Sequence, residues 1–234
     1  MVFGGTGSRG EAIPLDRPHV GGDPEPSLDG LMTNIDLKKV YKGHYSATRT
    51  PSIVEVPARQ FLMIDGAGDP NTSAQYVDAI QALYPLAYGL RAAIKATTGD
   101  GYVVMPLEGL WWVEDMTEFD PLDKSNWLWT AMICVPDAVT ASLAAEVLPA
   151  VTAKKELRAG ALARVERFTE GRAAQILHIG SYADEAPTIA SLHDFVTGQG
   201  GQLVGKHHEI YLSDSRKTAP DKLRTIIRQP FANA

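Results

Sequence analysis

One cysteine occurs in 234 residues, so no disulfide can form within the chain and a fold stapled by disulfides is excluded. Cys134 sits in the apolar run Ala131-Met132-Ile133-Cys134-Val135, a setting for a buried, inert thiol in a reducing compartment. No apolar run approaches the roughly 20 residues of a membrane span, and the chain does not open on a charged segment followed by an apolar one. A soluble cytoplasmic protein is expected. Basic clusters are also missing: 22 Lys and Arg stand against 28 Asp and Glu, for a net charge of -6. A nucleic-acid partner, which needs a stripe of Lys and Arg along its phosphates, is therefore not expected. There is no Ser-centred nucleophile elbow and no phosphate-cradling Gly loop. His207 and His208 are adjacent, so on a strand they face opposite sides and cannot both hold one ion. Neither metal nor cofactor is expected.

What is present suits a globular fold, with 44% apolar and 21% charged residues. The first 31 residues are about one third Gly and Pro, with almost no apolar periodicity. Residues 1–37 are therefore expected to form a flexible N-terminal extension ahead of a domain over 38–234.

Ile53 to Val56 and Gln60 to Ile64 read as a strand interrupted by Pro57. Asp65 to Pro70 is turn chemistry, and Asn71, Thr72 and Ser73 offer caps for a helix to about Ala96. Val77, Ile80, Leu83, Ala87, Leu90 and Ile94 form its expected core stripe, and Pro85 should kink it. A second ridge, Tyr76, Ile80, Tyr84 and Tyr88, is either packing or an aromatic pocket wall. Tyr102 to Pro106 opens a strand leading into Leu107-Glu108-Gly109-Leu110-Trp111-Trp112, where Gly109 could host a bulge. A carboxylate beside paired indoles suits a flat or cationic ligand. Glu114 to Asn126 reads as a hairpin loop, Trp127 to Val135 as a third strand, and 137–158 as a linking helix with a basic end.

The second half repeats the first. Ala161 to Phe168 and Arg172 to Ile179 read as a hairpin around Thr169-Glu170-Gly171. Ile176 to Glu185 echoes Phe61 to Pro70, and a helix follows from Ala186 to about Gly198. Two strand-helix-strand-strand units, at about 52–136 and 161–231, predict an α+β fold: an antiparallel sheet with the helices on one face and a central cleft. On that superposition Glu108 and Glu209 match and enter the cleft from opposite halves.

The stretch Gly205-Lys206-His207-His208-Glu209-Ile210-Tyr211-Leu212-Ser213-Asp214 reads as a short strand closed by a turn. Alternation puts His207, Glu209 and Tyr211 on one face and Lys206, His208, Ile210 and Leu212 on the other. An imidazole, a carboxylate and a phenol thus share a face, which is either a site or a solvated edge.

Gln175 to Glu185, Lys206 to Asp214, Thr218 to Leu223, Arg228-Gln229-Pro230 and Glu108 to Trp112 together resemble the GyrI-like (gyrase-inhibitor-like) small-molecule-binding proteins, over about Lys38 to Phe231. The resemblance implies the tandem fold, with Glu209 at the position of the family's pocket carboxylate. The Glu-Gly-x-Trp-Trp and His-His-Glu-Ile-Tyr patterns are similar to those of stand-alone hydrolases that open the strained cyclopropane of DNA-alkylating cyclopropyl-cyclohexadienone antibiotics, a self-protecting detoxification. It implies Glu209 as the base for water, with Tyr182, Tyr211 or His207 as donor to the dienone oxygen. Trp111, Trp112, Tyr84 and Tyr88 would stack on the rings, beside Glu108. The competing expectations are a protein that sequesters cationic or aromatic compounds without turnover, and a module that inhibits a topoisomerase.

Overall fold

A computed structural model describes residues 34–120 and 123–233. Most of the expected extension, residues 1–33, lies outside the described residues, while Ile35 bridges to Tyr102 and Leu37 is fully buried. The elements are α1 (Leu37–Val40), β1 (Ser52–Val56), β2 (Arg59–Ala67), α2 (Ala74–Thr98), β3 (Leu107–Trp112), β4 (Leu128–Val135), α3 (Ala141–Lys155), β5 (Arg164–Phe168), β6 (Gly171–Ile179), α4 (Ala186–Gly198), β7 (Gly201–Leu203), β8 (His207–Tyr211) and β9 (Arg224–Asn233).

Local chemistry explains the helix limits. The Ser73 hydroxyl accepts from the Tyr76 N–H at 3.3 Å, satisfying a donor that the helix leaves free. Gly99, at φ 82°, ends α2 in the left-handed region. The helix runs through Pro85. Leu83, Ala87 and Leu90 are fully buried, but Val77 is 49% exposed: the buried stripe begins further round, at Ala79, Ala82 and Leu83. Thr140 caps α3, accepting from the Leu143 N–H at 3.2 Å, and Lys154 and Lys155 lie in its last turn.

The strands form one antiparallel sheet in the order β1-β6-β9-β8-β3-β4-β2-β5, with β7 added to the end of β9. The α+β fold of two strand-helix-strand-strand units is borne out. Its seam is the β3–β8 pair, where Gly109 faces Glu209 and Trp111 faces His207. The units superimpose register for register. Arg59–Ala67 corresponds to Gly171–Ile179, an offset of 112 that also carries the start of α2 onto the start of α4. The 25 residues of α2 against 13 in α4 shorten the offset to 100 for β3 onto β8, and a connection four residues shorter brings it to 96 for β4 onto β9, so that the Glu108↔Met132 pair maps onto His208↔Arg228. The equivalent of Glu209 is therefore Gly109, one residue from the expected Glu108. The echo of Phe61 in Ile176 is likewise out by three, since Ile64 is the residue equivalent to Ile176.

A second difference concerns the hairpins. β5 and β6 are not paired with each other: β5 lies on β2 of the first half, and β1 lies on β6 of the second. Each unit thus lends its leading strand to the other. Only two residues separate β1 from β2 and β5 from β6, yet these pairs occupy opposite ends of the strand order. Three backbone steps span about 11 Å at most, so the sheet curls until its two ends meet.

The curl gives the sheet two distinct faces. On the outer one, Ala174, Ile176, Ile227 and Phe231 pack under Ile189, Leu192 and Val196 of α4, and the first half packs under α2 and α3. On the inner one, Leu177, Ile210 and Ile226 meet Tyr45 and Ala47. None of the described helices is long and apolar enough to cross a membrane.

Candidate functional site

Residues of β8 alternate between these faces, and each face carries its own polar cluster. On the helix side, His207 and Glu209 floor a cavity of about 270 Å³. Tyr182, Glu185 and Ile189 close it from the start of α4, Asn71 from the turn before α2, and Phe119, Lys124 and Trp127 from the β3–β4 loop. Its aromatic wall is continuous: Phe119 stacks on Trp127 with centroids 4.9 Å apart and planes 19° apart, and Trp127 packs on Trp111 at 5.4 Å. Such a slot accepts a flat apolar body.

Both Glu209 oxygens are occupied by protein. Tyr211 donates its hydroxyl to Oε2 at 2.6 Å, and His207 Nε2 lies 3.2 Å from Oε1. Burial alone would raise the pKa of this carboxyl, but the His207 and Tyr211 contacts and the Lys124 ammonium outweigh it and hold Glu209 below the ordinary value. Tyr211 is pushed well above its ordinary pKa by burial and by Glu209, and Tyr182 is raised chiefly by burial. Both phenols therefore keep their protons near neutrality.

Glu185 is the cleft residue that sequence reasoning passed over. It occupies the N-cap of α4 without capping it, is 4% exposed, and has an Oε1 without a hydrogen-bond partner. A helix N-terminus favours a carboxylate, yet burial first, and the Glu209 charge second, push its pKa up to about 9. The cleft thus holds one ionised and one protonated carboxyl, an acid beside a base. Its sequence signal, a Glu just before a helix, is also that of an ordinary cap. Phe119, Lys124 and Trp127 were equally unremarkable in a loop and at a strand start.

Other expected residues lie elsewhere. Tyr211, His207 and Tyr182 gather around Glu209, and Tyr182 meets Tyr211 ring to edge at 5.5 Å. Trp111 is buried behind the cavity wall against Tyr76, at 5.6 Å. Tyr84 is half-buried beside Asp214 and Arg216, and Tyr88 is 57% exposed, so neither lines the cavity. Trp112 stands under the Lys206 ammonium at 3.2 Å.

Glu108 belongs to the inner face, in a second cluster. Tyr45 donates to its Oε1 at 2.7 Å, and His208 Nε2 lies 3.0 Å from its Oε2. His208 Nδ1 is 2.9 Å from Glu170 Oε1, and Arg228 donates to Glu170 Oε2 at 2.8 Å. Arg228 also donates to Gln175 and to the His44 carbonyl. Burial opposes every charge here, but the Glu170 and Glu108 carboxylates raise His208 to about 9. His208 and Arg228 in turn lower Glu170 to about 2. Two anions then face two cations, and the adjoining cavity of about 10 Å³ has room for one water at most. This cluster clamps the curl shut and is too tight for a ligand. His178, bonded to Thr188 and the Ser181 carbonyl, is likewise a structural group. Among the described residues no cluster of His, Cys, Asp and Glu has the arrangement of a metal site.

The family model of the GyrI-like small molecule binding domain matches residues 49–231. Among solved structures, an uncharacterized conserved protein from Listeria innocua is 38% identical, with a TM-score of 0.79 over 85% of this chain and 100% of its own. Two structures of hydrolases from the same organism are 36% and 35% identical, with TM-scores of 0.77 and 0.74. They cover 86% and 85% of this chain and the whole of their own. No curated protein matches the chain.

Proposed function

The chain belongs to the GyrI-like small molecule binding domain family, and on that basis we propose that it is a hydrolase opening the cyclopropane of electrophilic cyclopropyl-dienone compounds by adding water. The observation that carries this reading is the ionised Glu209 at the floor of an aromatic cavity. The likeness to two hydrolases supports it.

In this reaction Glu209 takes a proton from a water whose oxygen bonds to the ring methylene. The cyclopropane C–C bond breaks, and its electron pair passes through the conjugated ring to the dienone oxygen, which becomes a phenolate. Tyr182, protonated and partly exposed in the cavity lining, donates to that oxygen, and the Lys124 ammonium favours the charge as it develops. Tyr211 and His207 hold Glu209 in place rather than serve the substrate. Phe119 and Trp127 flank the planar rings. Lys124 also offsets the Glu209 charge, so the cavity suits a neutral ligand better than a cation.

The test is incubation with a cyclopropyl-dienone compound, followed by mass spectrometry. Many turnovers to a product heavier by one water are expected, with a loss of about 100-fold or more in Glu209→Gln. Stoichiometric binding without product would replace this reading by sequestration. Gyrase supercoiling is expected to be unchanged by excess protein; inhibition would support the topoisomerase reading instead.

A further inference from the structure

Glu185 has no task in the reaction above. The dienone oxygen lies across a six-membered ring from the carbon that water attacks, whereas Glu185 and Glu209 line one cavity and lie near enough for the Glu209 charge to raise Glu185. The Glu209 oxygens are both engaged by His207 and Tyr211. Glu185 instead keeps a buried oxygen with no partner. An acid held this close to the base fits a strained ring whose departing atom adjoins the attacked carbon. That is the geometry of an epoxide, in which the leaving oxygen is part of the three-membered ring.

We propose that Glu185 and Glu209 are the acid and base of a second hydrolysis, the opening of aryl-substituted epoxides to diols; this rests on Glu209 being the base. Water forms the new C–O bond and gives its proton to Glu209. The C–O bond of the attacked carbon breaks, on the side away from the water, and its electron pair stays on oxygen, which takes the proton of Glu185. One proton has been gained and one released by the pair, so transfer from Glu209 to Glu185, directly or through one water, restores the starting state. No oxidant, metal or further reactant is consumed. The stacked Phe119 and Trp127 rings select the aryl substituent, and the modest cavity of about 270 Å³ favours one or two rings.

The experiment offers the full chain styrene oxide. Phenylethanediol is expected over many turnovers, with solvent ¹⁸O entering the diol in the first turnover. The rate should fall as pH rises through about 9, where Glu185 loses its proton. Glu185→Gln should lower diol formation by about 100-fold, with Glu185→Asp restoring part of it. If these variants fold poorly, the pH profile and the isotope experiment on the unaltered protein still decide. Diol formation no faster than in buffer, a rate flat through pH 9, or solvent oxygen entering Glu209 through a covalent ester would each overturn the inference. Dienone turnover without diol overturns this inference alone. Diol without dienone turnover upholds it and removes the earlier reading.

Discussion

Gly109 lies directly across the central seam from Glu209, at the position that the internal duplication makes its equivalent. One half of the molecule supplies a carboxylate there and the other supplies only space. A Cβ on Gly109 would stand 2.8 Å from Trp111 Nε1 and 2.9 Å from its Cε2, so the indole can lie over this residue only in the absence of a side chain. Trp111 in turn backs Trp127, which lines the cavity.

Gly109→Ala should therefore act on the site through the wall. The indole must shift, at a cost of about 1–3 kcal/mol in stability, and ligand affinity should fall because Trp127 moves with it. Thermal unfolding and titration with a planar aromatic ligand check both; unchanged stability and affinity would show that the indole has room to spare.

The Tyr211 hydroxyl lowers the pKa of Glu209 by donating to it. In Tyr211→Phe the carboxyl should take up a proton at higher pH, so the acid limb of the pH–rate profile moves up. The lost bond, made to an ionised carboxylate, should cost about 1.5–3 kcal/mol of stability. An acid limb that stays in place would mean that Tyr211 does not set the state of the base.

Phe119 is half-buried and packs chiefly on Trp127 and His207. Phe119→Ala should weaken binding of planar ligands about tenfold, the worth of about 1.4 kcal/mol, while unfolding changes little. Isothermal titration separates the two effects.

Four buried groups set how stability varies with pH, Glu209 acting in the same sense as Glu170 because its pKa is also lowered. Glu170, lowered to about 2, contributes stability that is present above its unfolded value of about 4.5 and lost as pH falls toward 2. His208, raised to about 9, contributes stability that is present below about 6.5 and lost as pH rises through 9. Glu185, also raised to about 9, stays protonated when folded while its unfolded counterpart ionises, so stability declines between about 4.5 and 9. Unfolding temperature should therefore peak near pH 5 and fall toward pH 9. Glu185→Gln should flatten the part of the decline between 4.5 and 6.5, where His208 does not yet contribute. A curve that rises from pH 5 to 9 would contradict the assigned states.

Strand alternation, a rule of local geometry, was enough to put His207, Glu209 and Tyr211 on one face, and the structure keeps them there. The limits of α4 were legible for a similar reason, because the Pro at its start and the Gly residues at its end act within a turn. Val77 was misplaced because a helix stripe predicts a face but not the angle at which the sheet receives it.

The sequence by itself determined most of the elements, their duplication and the chemistry carried on β8, since period, capping and turn residues act over a few neighbours. Tyr102 to Pro106, expected as a strand, makes only the Tyr102 bridge ahead of β3. The tertiary structure decided which strands pair, and so made Gly109 rather than Glu108 the partner of Glu209. A one-residue change of register turns a side chain to the opposite face, and that register is set by ladders between residues about a hundred positions apart. It also decided the state of Glu185, whose proton is held by burial and by a charge 24 positions further along the chain, neither of which any local pattern encodes.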